Sequence, residues 1–248
     1  MGRVTVVTSG KGGVGKSTVS VFLGRALSAL DKSVVLVELD SGLRTLDILT
    51  DMSKSVLFDI SDIVEGRCSV AQAVVPVIGE EKLFLLPAAS FYNTETDFEK
   101  LNKLTEKLSQ IFDHVLIDCP AGVGESFELA ASCADDALVV ATPDPVCVRD
   151  AAVVRRKLEE YGVSEQRLII NRLKVQFVRE GIYYDIDTVI DMSGIRLIGV
   201  VPEDIQIAKR SAKGSALLGF SPSAQAFSNI AARLCGEQKP LIKLKNLG

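Results

Sequence analysis

The segment from Gly10 to Thr18 has the composition of a phosphate-binding loop. It satisfies the pattern G-x-x-x-x-G-K-[ST] and lies between an apolar stretch and a segment with helical periodicity, as that motif requires. Glycines let backbone N–H groups approach phosphate oxygens, and the following helix points its positive end at the same anion. Lys16 is expected to neutralise the β- and γ-phosphates, and the Ser17 hydroxyl to ligate Mg²⁺. The predicted ATP contacts of this loop are Gly12, Gly13, Val14, Gly15, Lys16, Ser17 and Thr18.

Short β-branched apolar runs recur along the chain, and most are followed by a segment with helical periodicity. The predicted strands are Val4–Thr8, Ser33–Leu39, Leu83–Pro87, His114–Asp118, Ala137–Thr142, Arg167–Asn171 and Arg196–Val201. The predicted helices are Ser17–Leu30, Asp59–Glu65, Thr96–Ile111, Gly124–Cys133, Pro145–Tyr161, Glu203–Ser211 and Ser223–Leu234, with shorter ones after Ser69 and around Asp187–Met192. The alternation predicts an α/β fold: a single-domain P-loop NTPase over residues 1–240, with a mostly parallel sheet of about seven strands and helices on both faces.

Composition narrows the classes of function. The formal net charge of -4 is unfavourable for a protein whose main task is to hold nucleic acid, because that task needs a basic surface. No signal peptide is recognisable, and no apolar run approaches the ~18 residues of a membrane span, so a cytoplasmic protein is expected. The five cysteines include no C-x-x-C pair, which favours reduced thiols, with a metal cluster shared between two subunits as the alternative.

Several motifs resemble those of the MinD/ParA superfamily of P-loop ATPases. Lys11, the first lysine of the loop, marks the deviant form of the Walker A motif in that superfamily. Residues 38–47 (Glu-Leu-Asp-Ser-Gly-Leu-Arg-Thr-Leu-Asp) resemble the switch segment of its division-site branch, and residues 118–124 (Asp-Cys-Pro-Ala-Gly-Val-Gly) resemble the Walker B region. Residues 199–204 (Gly-Val-Val-Pro-Glu-Asp), near the end of the chain, resemble a further motif of the superfamily. The resemblance therefore extends over about residues 3–240.

The resemblance implies an ATP-dependent homodimer in which Lys11 reaches the nucleotide of the other subunit. Asp40, after the second predicted strand, would orient the attacking water or approach Mg²⁺ through water. Asp118 would hold Mg²⁺ indirectly from the carboxyl edge of the sheet. Gly122 would offer a backbone N–H to the γ-phosphate. Together with the loop, the resemblance thus assigns Lys11, Lys16 and Asp40 to catalysis, and Ser17, Asp40 and Asp118 to the metal.

Two further motifs correspond to adenine contacts in the superfamily. Asn171, at the end of the sixth predicted strand, is followed by Arg172, and this Asn-Arg pair resembles one that meets adenine. Pro202 and Glu203 resemble the loop on the other side of the ring. The alternative at both places is an ordinary turn at the end of a strand.

The chain departs from the division-site branch at three motif positions and in its tail. Glu38 stands where that branch usually has Asp, Thr45 where it has Asn, and Cys119 where it often has Ser. Residues 241–248 form a short basic and apolar tail, in which Lys245 falls inside the apolar arc of a helix. Two interpretations of the tail remain open: weak binding to the inner face of the cell membrane, or a frayed terminus.

The resemblance implies a slow, Mg²⁺-dependent ATPase that acts as a molecular switch, dimerises with ATP, has a protein activator or inhibitor, and serves in division-site placement. A second hypothesis within the superfamily is an ATPase that positions DNA or protein cargo, of the ParA or flagellar-number type. A metal-cluster carrier and a biosynthetic ligase of the same fold complete the range of functions that the motifs allow.

Overall fold

The computed structural model describes residues 1–40, 44–88, 94–217 and 219–243, without the side chains of residues 94–97. Within these ranges eight strands form one sheet: β1 (Arg3–Thr8), β2 (Val34–Glu38), β3 (Val75–Pro76), β4 (Leu83–Leu86), β5 (His114–Asp118), β6 (Asp136–Ala141), β7 (Gln166–Leu173) and β8 (Leu197–Pro202). Their order is β3-β4-β2-β5-β1-β6-β7-β8, and every pairing is parallel except β3 with β4. The α/β fold with a mostly parallel sheet is therefore confirmed.

The sheet carries helices on both faces. The helices are α1 (Lys16–Ser28), α2 (Thr45–Leu49), α3 (Ile60–Val64), α4 (Val70–Ala73), α5 (Thr94–Ile111), α6 (Glu125–Ser132), α7 (Pro145–Glu160), α8 (Val175–Arg179), α9 (Ile186–Ser193), α10 (Ile205–Ser211) and α11 (Pro222–Leu234). Every predicted helix is present within a few residues of its predicted bounds. Ser69 opens α4 with a capping box to Gln72, as its position before a helical segment suggested.

Three elements were not predicted. β3 is the eighth strand and has only two residues, too few to show the alternation by which a strand is recognised. α2 and α8 have five residues each, about one and a half turns, so neither shows a helical period clearly. The described sheet therefore has one strand more than the seven or so expected, and the sequence pattern does not reveal that strand.

Strand side chains alternate between two apolar layers. In β2, Val35 and Val37 belong to the layer that is covered by α5, α6 and α7. Their neighbours Val34 and Leu36 belong to the layer beneath α1 and α11. All four are fully buried, which explains why the strands are apolar without interruption.

The parallel arrangement sends the carboxyl ends of β1, β2, β5, β7 and β8 to the same side of the sheet. The loops that carry the predicted functional residues therefore converge there, where open α/β sheets bind their ligands. Among the described residues, no helix has both the length and the apolar character to cross a membrane.

Candidate nucleotide-binding site

The predicted phosphate loop joins β1 to α1. β1 ends at Thr8, and α1 begins at Lys16 directly after Gly15, whose φ of 89° is in the left-handed region. A Cβ at Gly15 would lie 2.5 Å from Nδ2 of Asn171, so both the backbone conformation and the space require glycine there. Gly12 and Gly13 are exposed, whereas Lys16 is buried at the start of the helix. The loop thus presents its backbone to solvent around a buried cation, which suits an anionic ligand.

Asp118 is the buried carboxylate at the centre of this region. It ends β5, lies beside Val7 of β1 and Glu38 of β2, and is fully buried. Ser20, one turn into α1, donates its hydroxyl to Oδ1 of Asp118 at 2.8 Å. Burial raises the pKa of Asp118, while Lys16 and the hydroxyls of Ser17 and Ser20 in α1 act to lower it.

The same carboxylate offers a place for a metal ion. Its Oδ2 atom has no hydrogen-bond partner among the described residues, although it is buried. A buried carboxylate oxygen needs a compensating donor or cation. Mg²⁺ binds through carboxylates, hydroxyls and retained water, so Asp118 and Ser17 fit a magnesium ion held at the phosphate loop. The donor set therefore agrees with the predicted ATP and Mg²⁺ site.

Asp40 lies two residues beyond the end of β2, on the same side of the sheet. Its charge contributes to raising the pKa of Asp118, which places the two carboxylates near each other. Asp40 is only half-buried, so water reaches it. The structure therefore brings Asp40, Asp118 and Lys16 to one edge, as predicted. The next residues of the predicted switch segment, 41–43, lie outside the described residues.

Glu38 has a structural task that the sequence did not reveal. It is fully buried at the end of β2, and its Oε1 accepts the backbone N–H groups of Thr45 at 2.5 Å and of Leu46 at 3.0 Å. It thereby holds the first turn of α2, where donors lack helical partners. Burial, with Asp118 and Asp47 nearby, raises the pKa of Glu38 to about 7, although the two N–H groups oppose this shift. The longer side chain at this position therefore anchors α2, the helix that begins within the predicted switch segment.

Lys11 lies apart from Lys16. It is exposed, and its charge acts on Asp144, the residue that caps α7. Burial raises the pKa of Asp144, but Thr142, the N-terminal turn of α7 and Lys11 together hold it below its usual value. The backbone of Lys11 is fixed, since its carbonyl accepts the Ser9 hydroxyl at 3.0 Å. The two lysines of the loop therefore occupy different environments, one buried beneath the loop and one at the surface.

Gly122 adopts a positive φ of 94°, and its backbone N–H donates to the carbonyl oxygen of Ser9 at 2.9 Å. This hydrogen bond joins the segment after β5 to the phosphate loop. A contact between the same N–H and a γ-phosphate would require this bond to be exchanged. Gly122 therefore contacts protein in this structure, at a position next to the predicted phosphate site.

A cleft of about 320 Å³ opens beside the loop. It brings together Gly13, Gly15, Thr18, Asn171, Pro202 and Glu203, which the sequence predicted as nucleotide contacts, with Arg172, Asp204, Ile207, Ala208 and Ser211. One wall is α10, which follows the Pro-Glu-Asp segment. Its size and its position next to the phosphate loop suit the base and ribose of a nucleotide.

Asn171 and Arg172 brace the loop from the side of this cleft. The amide nitrogen of Asn171 donates to the carbonyl oxygen of Val14 at 2.8 Å, and its Oδ1 atom is buried without a partner among the described residues. Arg172 donates to Gly13 O at 3.3 Å and pairs with both carboxylate oxygens of Glu203, at 2.9 and 3.4 Å. The free acceptor of Asn171 is available to the exocyclic amine of a base.

Sequence reasoning missed two kinds of site residue. Ser20 lies four residues after Lys16 and therefore on the same side of the helix, a spacing that would have suggested contact with the sheet. The cleft is also lined by three residues of α10: Ile207, Ala208 and Ser211. No spacing in the sequence indicates this, because the pairing of β7 with β8 brings α10 to the loop.

Comparison with known proteins relates the chain to nucleotide-binding ATPases. Residues 5–218 match the model of the CobQ/CobB/MinD/ParA nucleotide binding domain. The septum site-determining protein MinD of Bacillus subtilis is 40% identical over 246 residues, covering 97% of this chain and 92% of the relative. The structure of the MinC:MinD cell division protein complex of Aquifex aeolicus aligns with a TM-score of 0.88 at 33% identity, over 97% of this chain and 99% of that one. MinD of Pyrococcus horikoshii complexed with Mg-ADP aligns at 0.84 and 27%, over 94% and 96%.

Replacing Asn171 tests its part in the site. Asn171→Ala leaves the Val14 carbonyl without its donor and removes the free acceptor of the cleft. Loss of a hydrogen bond to a buried group costs about 1–2 kcal/mol, so the dissociation constant of Mg-ADP should rise about tenfold. Isothermal titration calorimetry measures it, with the exposed Asn102→Ala of α5 as the matched control. An unchanged dissociation constant for Asn171→Ala would show that the residue does not shape the site.

Proposed function

We propose that this chain, which belongs to the CobQ/CobB/MinD/ParA nucleotide-binding family, is an ATP-hydrolysing switch of the MinD type that serves in placing the division septum. The placement at one sheet edge of a buried lysine, a buried carboxylate with a free oxygen and an exposed second lysine supports the chemistry. The match to septum site-determining proteins along nearly the whole chain supports the biological role.

The loop residues bind the phosphates. In this proposal the backbone of Gly12, Gly13 and Gly15 surrounds the β- and γ-phosphates, and the Lys16 ammonium balances their charge from below. Ser17 and Asp118 hold Mg²⁺, Asp118 through water. An ion held by these residues would supply positive charge to the phosphates during hydrolysis. Asn171, Pro202 and Glu203 enclose the base, while Val14 and Thr18 complete the wall between the two parts of the site.

Hydrolysis needs a positioned water and a second cation. Asp40 is half-buried near Asp118 and is proposed to orient the attacking water toward the γ-phosphate. Lys11 of one protomer is exposed, so it is free to reach the nucleotide of a second copy. A cation supplied in this way compares with an arginine finger, which accelerates hydrolysis by ~10³–10⁵, or about 4–7 kcal/mol. Hydrolysis by a single protomer is therefore slow.

In this proposal the hydrogen bond from Gly122 to Ser9 is the local contact that changes when ATP binds. If the Gly122 N–H turns from the Ser9 carbonyl to the γ-phosphate, the segment after β5 moves when ATP is bound and returns after hydrolysis. Such exchange of one hydrogen-bond partner is a familiar way for a γ-phosphate to order a segment. The ATP-bound surface would then be the one that a protein activator or inhibitor recognises, as the MinC:MinD complex of the Aquifex aeolicus relative suggests.

The tail is partly attached to the domain. Arg233 of α11 donates through Nε and Nη2 to the Lys239 carbonyl at 3.0 and 2.8 Å, and Asn229 donates to the Pro240 carbonyl at 3.1 Å. Ile242 packs against the apolar layer beneath α1 and α11, whereas residues 244–248 lie outside the described residues. Residues 239–242 thus contact α11 and the apolar layer beneath it.

We further propose that the tail contacts the membrane surface only in the ATP-bound dimer. One short tail carries few apolar side chains, and Ile242 must leave its packing to reach lipid. Two tails on one dimer add their free energies of binding, which gives an association that a monomer lacks. The protein would therefore be cytoplasmic in its ADP state and peripheral on the inner face of the cell membrane in its ATP state.

Light scattering with ATP and Mg²⁺ tests the dimer. Wild-type protein and Asp40→Ala should double in mass from the 26.7 kDa protomer, because Asp40 acts after assembly. Lys11→Ala should stay monomeric and lose most of its ATPase activity, since its charge serves the other subunit. Lys54→Ala, an exposed lysine outside the loop, is the matched control and should dimerise. A monomeric Asp40→Ala, or a dimer of Lys11→Ala with normal turnover, would contradict the mechanism.

Co-sedimentation of Asp40→Ala with vesicles and with DNA separates the two roles within the family. With ATP, the dimer should sediment with vesicles of anionic lipid, and with ADP it should remain in solution. Retention on DNA should be absent, because the net charge of -4 provides little counterion release. Retention on DNA that weakens with salt, without vesicle binding, would instead support a ParA-type positioning ATPase.

The cellular role is tested in a Bacillus subtilis strain that lacks its own MinD. Expression of this chain should reduce the fraction of misplaced septa seen by fluorescence microscopy. Lys16→Ala, expressed at the same level, should not, because it cannot hold the phosphates. Equal septum placement with wild type and Lys16→Ala would separate the role from ATP binding and so contradict the proposal.

A further inference from the structure

A buried arginine ties the first helix to two distant loops. Arg25 lies in α1, with 5% of its side chain exposed. Its Nη2 donates to the carbonyl oxygen of Gly214 at 2.6 Å, and its Nε lies 3.1 Å from Oε1 of Glu80, in the turn between β3 and β4. Burying a guanidinium is costly unless its donors are engaged. Nε and Nη1 have no hydrogen-bond partner among the described residues, so the bond from Nη2 to Gly214 is the one that ties this loop to α1, with Glu80 balancing the charge.

Gly214 lies against the end of α2. Its φ is +56°, and a Cβ there would lie 2.4 Å from Cβ of Asp51 and 2.9 Å from the carbonyl carbon of Thr50. Thr50 ends α2 and is almost completely buried. Only glycine fits both the conformation and the space, so the loop and the end of α2 move together or not at all.

The same loop is the direct continuation of α10. The Ser215 N–H donates to Arg210 O at 3.0 Å and the Gly214 N–H to Ser211 O at 3.2 Å, which is the hydrogen-bond pattern of a Schellman cap with Gly214 in the left-handed position. Ser211, Ala208 and Ile207 line the base cleft. A displacement of the cleft wall therefore passes through one helical turn to Gly214.

The other end of α2 is fixed next to the catalytic edge. Glu38 accepts the N–H groups of Thr45 and Leu46, and it lies beside Asp118 in the sheet and two residues before Asp40. α2 has five residues and is about 7.5 Å long, too short to bend within its length. One rigid helix thus connects the base cleft, through Gly214, with the segment that carries Asp40.

We propose that Arg25 and Gly214 are positioning residues, which press the wall of the base cleft against the end of α2 so that a bound base stabilises this helix. The inference rests on the proposed function, because it takes the cleft as the site of the base. Arg25 contacts Gly214 and Glu80. Both residues lie outside the phosphate loop and outside the lining of the cleft. A base that fills the cleft restrains α10. The restraint reaches α2 because Gly214 is hydrogen-bonded to Arg25 and is in close contact with Asp51 and Thr50.

A comparison of two ligands isolates the effect of the nucleoside, the base with its ribose, which fills the cleft. Mg-pyrophosphate shares the phosphate contacts of Mg-ADP but leaves the cleft empty, and both ligands lack the γ-phosphate on which the proposed dimer depends. A ligand shifts a conformational equilibrium only through contacts that differ between the two states. The difference in protection of α2 between these ligands therefore measures the coupling through α10.

Hydrogen exchange of the full chain, with each ligand at saturation, provides the test. The reporters are the amides of Thr50, Asp51 and Met52, which donate to Leu46, Ile48 and Asp47 carbonyls at the end of α2. In wild-type protein Mg-ADP should slow their exchange about tenfold more than Mg-pyrophosphate, a typical coupling between sites. In Arg25→Met this difference should disappear, although Mg-ADP still binds at saturation.

Matched variants separate coupling from general loss of structure. Gly214→Ala should also remove the difference in protection. Two control variants should retain it: Gly219→Ala, where the added Cβ meets open space, and Arg156→Met, at an exposed position of α7. Gly214→Ala keeps the test valid if Arg25→Met does not fold. Equal protection of wild-type α2 by both ligands, or full retention of the difference in both variants, would overturn the inference alone. Failure of wild-type protein to bind either ligand would overturn the proposed function as well.

Discussion

The burial of one carboxylate governs the arrangement of this domain. Asp118 is fully enclosed between β1 and β2, and an isolated charge in such a place is unstable. Lys16 and Ser20 supply the compensation from α1, which fixes how that helix must leave the phosphate loop. The remaining Oδ2 atom has no hydrogen-bond partner among the described residues, and in the proposed site a bound cation completes the compensation. The fold is thus built around a charge that a ligand helps to stabilise.

The switch region extends this arrangement to a second carboxyl group. Glu38 lies beside Asp118, and burial raises its pKa to about 7. Its hydrogen bonds to Thr45 and Leu46 oppose that shift and fix the start of α2. The end of α2 is held by Gly214 and, through it, by Arg25. Both ends of α2 are therefore held by contacts from other parts of the domain.

The sequence predicted those features of the fold and the site that depend on the spacing of residues close together in the chain. The phosphate loop, its lysines and the strand-end positions of Asp40 and Asp118 follow from motifs and from the parallel sheet, in which strand ends meet at one edge. β3 escaped prediction because two residues carry no period. The contact of Arg25 with Gly214 joins residues 189 positions apart, and only the packing of α10 and α2 brings them together. The role of Glu38 was hidden for a different reason: its partners are the backbone N–H groups of Thr45 and Leu46, which no side-chain pattern reveals.

The two lysines of the loop differ in burial, and the proposed mechanism gives them different tasks. Lys16 is buried and committed to its own Asp118, so its charge is already partly balanced before a nucleotide arrives. Lys11 is exposed beside the cap of α7, where its charge acts on Asp144. A charge held at the surface on a fixed backbone is weak in water but strong once a second copy excludes the solvent. In the proposed mechanism assembly therefore creates the catalytic environment, and hydrolysis limits how long the assembly persists.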